Sequence, residues 1–169
     1  IGSESVAIYS TASVFGKAFN LIALPVSSIM LGYYASGRLV LNRKKYWSIN
    51  IVMLVILGLF VVVTLLCGVW ITGLLYPSLI EAAAPFVLIA NVSSAIGASA
   101  QITKSAALKY AKTYWTLVIQ GIYAVVYIGL GCYMVKNMGL KGFAYAVLIA
   151  NVVQLFMLYI VCHMSLKEK

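Results

Sequence analysis

The stretch YWSINIVMLVILGLFVVVTLLCGVWITGLL, residues 46–75, contains no charged side chain and no proline. It is longer than the ~20 apolar residues that carry an α-helix across hydrocarbon, and in lipid only helices and closed barrels satisfy every backbone N–H and C=O. Working outward, four further apolar segments run from about 6–34, 82–103, 114–135 and 142–164. The loops between them are too short to hold a separate domain. The reading is an all-α integral membrane protein, with residues 1–169 forming one transmembrane helical domain of five spans. Composition agrees: 64% of residues are hydrophobic, 9% are charged and the mean hydropathy is +1.05, whereas soluble domains carry roughly a quarter charged residues.

Charge sets the direction of the chain. Arg38, Arg43, Lys44 and Lys45 follow the first segment, Lys104, Lys109 and Lys112 the third, and Lys167 and Lys169 the fifth. The opposite side has only Lys136 and Lys141, together with Glu4 and Glu81. Basic residues accumulate in cytoplasmic loops, so the predicted topology in a cell membrane is multi-pass, with the start outside and the C-terminus cytoplasmic. The net charge of +9 is thereby assigned to loops and predicts no nucleic-acid partner. Tyr33, Tyr34, Tyr46, Trp47, Trp70, Tyr76, Tyr114, Trp115 and Tyr133 gather near span ends, where aromatic rings meet headgroups. Lys104–Lys112 reads as a helix end emerging along an anionic inner leaflet, which makes membrane lipids the expected neighbours. The opening Ile1-Gly2-Ser3-Glu4 has neither an initiator methionine nor a signal-peptide pattern, which predicts the tail of a longer polytopic protein.

Few residues in the spans could carry chemistry. None of the acids lies inside a segment, which weighs against acid/base catalysis. Cys67, Cys132 and Cys162 stand singly without C-x-x-C spacing and read as small core residues; no metal set or cofactor is predicted. Lys17 stands out. At ~1.5 Å per residue it lies roughly 15 Å or more from either end of its segment, and a charge at that depth costs about 2.5–3.5 kcal/mol on insertion scales. Tyr9, Ser13, Lys17, Asn20 and Ser27 fall within about 80° of one helical face. Two readings follow: Lys17 is satisfied by hydroxyls and carbonyls inside a packed bundle, or it lines a charged substrate cavity. On the third segment Asn91, Ser94, Gln101 and Ser105 share a face that serves either a second cavity wall or close helix packing beside the small residues 95–100. The same choice applies to Gln120, Asn151 and Gln154. Gly142, Ala146 and Ala150 form a small-residue row, Gly121, Gly129 and Gly131 lighten the fourth segment, and Pro25 marks a kink below Lys17.

Three stretches carry a resemblance. Gly2-Ser-Glu-Ser-Val-Ala-Ile-Tyr-Ser10, Glu81-Ala-Ala-Ala-Pro85 with the following Phe-Val-Leu-Ile, and Asn137-Met-Gly-Leu-Lys-Gly-Phe-Ala-Tyr-Ala146 resemble the entry to the eighth helix, the start of the tenth and the turn into the last helix of the polysaccharide-biosynthesis flippases. These are the O-antigen repeat-unit flippases of the multidrug/oligosaccharidyl-lipid/polysaccharide exporter superfamily. The resemblance implies a twelve-helix, two-lobed transporter of which this chain is most of the C-terminal lobe, its N-terminal lobe being the missing partner. It also implies flipping of an undecaprenyl-pyrophosphate-linked oligosaccharide, with Lys17 holding the pyrophosphate or an acidic sugar and Ser13, Asn20, Asn91 and Gln101 meeting sugar hydroxyls. The alternative is a small-molecule or multidrug exporter of the same superfamily; an enzyme, such as a polymerase or ligase, would need a large loop or clustered catalytic groups.

Overall fold

The computed structural model describes residues 2–166. Lys167, Glu168 and Lys169, two of them counted among the cytoplasmic cations, lie outside the described residues. Five α-helices follow in order: α1 (Ser3–Ala12), α2 (Val14–Ala35), α3 (Arg43–Leu75), α4 (Ile80–Tyr110) and α5 (Thr113–Ser165). Four of them, α2 to α5, are long and apolar enough to cross a membrane. The protein is thus all-α, membrane-embedded and multi-pass, with helix boundaries that differ from the segments expected at two places.

The first expected segment is two helices broken at Ser13, whose ψ of 10° departs from helical geometry. The fourth and fifth segments belong to one 53-residue element that bends at Gly139, where φ is 58° and ψ −135°, a conformation open essentially only to glycine. That glycine leaves two arms of about 26 residues, each roughly 39 Å long. The arms fold back on each other. Tyr127 and Phe143 have ring centroids 6.3 Å apart, whereas a straight helix would separate them by about 24 Å. Just past the turn, a side chain at Gly142 would collide with the Met134 carbonyl, so the small-residue row begins where the arms touch. Gly142, Ala146 and Ala150 are buried as expected, but a Cβ at Gly121, Gly129 or Gly131 would meet open space; those three are not packing contacts.

α4 is the hub, touching each of the other helices. Ala83, Ala90, Ala95, Ala98 and Ala107 are fully buried on it, and in lipid such small residues are what lets backbones approach closely enough to gain dispersion contacts. Ser27 and Ser105 lock α2 to α4 reciprocally: their hydroxyls are 2.7 Å apart, Ser105 donates to the Ser27 carbonyl at 2.8 Å, and Ser27 to the Gln101 carbonyl at 2.9 Å. α3, by contrast, exposes Ile51, Val52, Leu54, Val55, Leu59, Val62, Val63, Leu65 and Leu66, a face that water would not tolerate and hydrocarbon would. Cys67 and Cys132 are also exposed and only Cys162 is buried, so one cysteine of the three is a core residue.

The loops segregate by end. At one end the Tyr110 hydroxyl accepts from the Leu41 N–H and donates to the Leu39 carbonyl, and Arg43 donates to His163; this end gathers Arg38, Arg43, Lys44, Lys45, Lys109 and Lys112. At the other, Tyr9 meets Phe143 edge-on at 5.0 Å and Lys141 shares a groove with Pro85 and Phe86. Glu4 and Glu81 sit in the first turns of α1 and α4 at that second end, where a carboxylate complements the helix dipole.

Candidate functional site

The break at Ser13 organises the site. In a continuous helix the Gly16 N–H would donate to the Ala12 carbonyl. Here the Asn91 side chain of α4 stands between them: its Oδ1 accepts from the Gly16 N–H at 2.6 Å, and its Nδ2 donates to the Ala12 carbonyl at 2.9 Å and to the Val87 carbonyl at 2.6 Å. An inserted side chain is one of the few physical causes of a sharp helix bend. Gly16 makes the insertion feasible, since a Cβ there would collide with Ser94 and lie 3.2 Å from Asn91 Oδ1. Pro25, the kink expected from sequence, sits inside an unbroken α2. The discontinuity belongs to Asn91 instead.

The same break frees the Ser10 carbonyl, which would otherwise accept from Val14. It receives the Ser13 hydroxyl at 3.1 Å and the Lys17 ammonium at 3.1 Å, while Lys17 also donates to the Ser10 hydroxyl. Lys17 is exposed and Ser10 is its hydrogen-bond partner among the described residues. With Tyr9, Ser13, Leu140 and Phe143 it lines a groove of about 300 Å³. The choice left open by sequence thus has a mixed outcome: a carbonyl and a hydroxyl steady the ammonium, yet it remains on an open wall.

One and two turns further along the same face of α2, Asn20 and Leu24 enter a second cleft of about 350 Å³. Ser94, Gly97 and Gln101 of α4 line it, as do Gln120 and Tyr123 of the first α5 arm and Asn151 and Gln154 of the second. Five carboxamides therefore converge from four helical rods with no charged side chain among the lining residues. Asn151 is tied down by donating to the Ser93 carbonyl and hydroxyl at 2.9 and 3.1 Å. Gln154 is 5% exposed, and its amide has no hydrogen-bond partner among the described residues. That amide is not among the fully buried atoms left without a partner; it opens into the cleft, where a carboxamide offers donors and an acceptor to a ligand. The lysine groove and the amide cleft are joined by aromatic rings, Tyr9 to Phe143, Phe143 to Tyr127 and Tyr127 to Tyr123, at 5.0, 6.3 and 6.0 Å.

No family model, no curated protein and no solved structure matches the chain.

Of the residues picked out from sequence, the structure brings Asn20 and Gln101 together in the amide cleft and sets Lys17 with Ser13 in the adjoining groove. Asn91 reaches neither: it is fully buried and holds the helix break, so close packing is the correct reading for that position and for Ser105. Ser10 and Tyr123 join these two sites without a signal in the sequence. Nothing local marks them, because one acts through a carbonyl that the break releases and the other through the return of the hairpin.

Proposed function

We propose that the chain is the C-terminal part of a transporter that moves a lipid-linked oligosaccharide between leaflets of a cell membrane. Its rods would cross five times, from an outside start to a cytoplasmic end, against a second lobe supplied by the rest of the protein. The observation that carries the reading is a polar cleft, with an unpaired Gln154 and an adjacent exposed Lys17, in a bundle whose α3 presents an aliphatic face. Carboxamides offer both donors and acceptors and so suit hydroxyl-rich sugars. An ammonium with a single residue as partner can exchange that partner for an anionic phosphate oxygen, whose charge-assisted bond is the stronger.

Separation of the two subsites matches a bipartite substrate, with pyrophosphate beside Lys17 and sugar between the amides. The test is surface-polysaccharide display by cells producing the full protein as wild type, Lys17→Ala, Lys17→Arg or Gln154→Leu. Lys17→Ala should abolish display while leaving the protein inserted in the membrane, and Gln154→Leu should reduce it. Lys17→Arg separates charge from reach, because the forked guanidinium does not reproduce a compact ammonium. Normal display by correctly inserted Lys17→Ala and Gln154→Leu would refute the proposal.

A further inference from the structure

The basic end holds a second surface, independent of the transport reading. Two parallel rows run down α3 at i, i+4, i+8 spacing: Arg43, Trp47, Ile51 and Lys44, Ser48, Val52. Together they line an open groove of about 690 Å³. Each row passes from cation, through an amphipathic or hydroxyl side chain, to aliphatic, over about 12 Å. That is the order of phosphate, glycerol ester and acyl chain in a phospholipid, read inward from the headgroup.

Depth is consistent with that order. α3 has 33 residues, about 50 Å against roughly 30 Å of hydrocarbon, so its first turns reach the headgroup layer. The wall is also fixed in place. Arg43 donates to His163, and Trp47 packs on Tyr46, Tyr159 and His163 with centroids 5.8, 6.2 and 5.9 Å away.

Charge identifies the occupant. Arg43, Lys44 and Lys45 fill the first turn of α3 with no acid in that turn, at the end of the helix dipole that already favours anions. The acids among the described residues, Glu4 and Glu81, start helices at the opposite end of the bundle. We infer that this groove binds one anionic phospholipid, its phosphate between Arg43 and Lys44, its glycerol region at Ser48 and Trp47, and an acyl chain along Ile51 and Val52.

The experiment uses the full protein in nanodiscs at low salt, with Trp70→Phe and Trp115→Phe so that Trp47 is the reporter within this chain, and any tryptophans elsewhere in the full protein likewise replaced. Bromine-labelled phosphatidylglycerol is titrated against bromine-labelled phosphatidylcholine. Trp47 should be quenched preferentially by the anionic lipid. Arg43→Gln with Lys44→Gln should lower that preference by about 30-fold, taking roughly fivefold per cation. The swap Arg43→Lys with Lys44→Arg should retain most of it, and matched neutralisation of Lys136 and Lys141 at the opposite end should leave it unchanged. Circular dichroism and elution volume verify folding. Equal quenching by the two lipids in the unaltered groove overturns the inference, as does an equal loss of preference on neutralising Lys136 and Lys141. Release by acidic peptide but not by added anionic lipid would assign the groove to a protein segment and also overturn it.

Discussion

Replacing Asn91 with Leu removes a side chain that stands in for a missing rung of a helix. Three hydrogen bonds disappear. At the roughly 0.6 kcal/mol averaged for side-chain hydrogen bonds inside membranes, they sum to about 2 kcal/mol. The other route to the magnitude counts what is left behind. The Gly16 N–H and the Ala12 carbonyl both lose their partner in a fully buried position, at about 1–3 kcal/mol each, or about 2–6 kcal/mol together. The two figures meet near 2 kcal/mol, which is the expected minimum loss.

Relief is available only if Gly16 re-forms its bond to Ala12, which would straighten α1 on α2 and take the Ser10 carbonyl away from Lys17. The assay is sodium dodecyl sulfate-induced unfolding in mixed micelles, paired with hydrogen exchange at the Gly16 amide. Leu at position 91 should lower the unfolding free energy by about 2 kcal/mol or more and accelerate exchange at Gly16. Asn91→Asp should be as damaging or worse, since a carboxylate accepts from Gly16 but has no proton for the Ala12 and Val87 carbonyls. A loss below about 0.5 kcal/mol, inside the scatter of ordinary surface substitutions, with Gly16 protection unchanged, would falsify the account of the break.

Other expectations concern the turn and the packing. Gly139→Ala should cost about 1–3 kcal/mol through a backbone conformation closed to residues with a Cβ, and Gly142→Ala should add a collision with the Met134 carbonyl. A disulfide between the arms that rescued neither variant would count against the hairpin as the affected element. Ser27→Ala and Ser105→Ala should be non-additive, with a coupling of about 0.6 kcal/mol in a double-mutant cycle; a coupling of zero would mean that the reciprocal bonds do not form. Gly16→Ala should destabilise strongly, and Ser94→Gly should recover part of the loss because it removes the atoms a Cβ would strike. Absence of any rescue would place the close approach elsewhere.

The helical class, the membrane setting and the alternation of charged ends were legible along the chain, because each depends on one-dimensional properties: apolar runs such as 46–75, and the order in which lysines and arginines interrupt them. Lys17, Asn20 and Gln101 could be picked out as expensive polar groups at depth for the same reason. Their grouping could not. Asn91 and Asn20 look alike in sequence, yet one mends a broken helix and the other lines a cleft, because Gly16 lets α4 approach closely only at the first. Gln120 and Gln154 lie 34 positions apart and meet only because Gly139 turns the chain back on itself. Sequence sets which groups are costly to bury in lipid; tertiary structure decides how they are satisfied, since a partner depends on which backbones can approach.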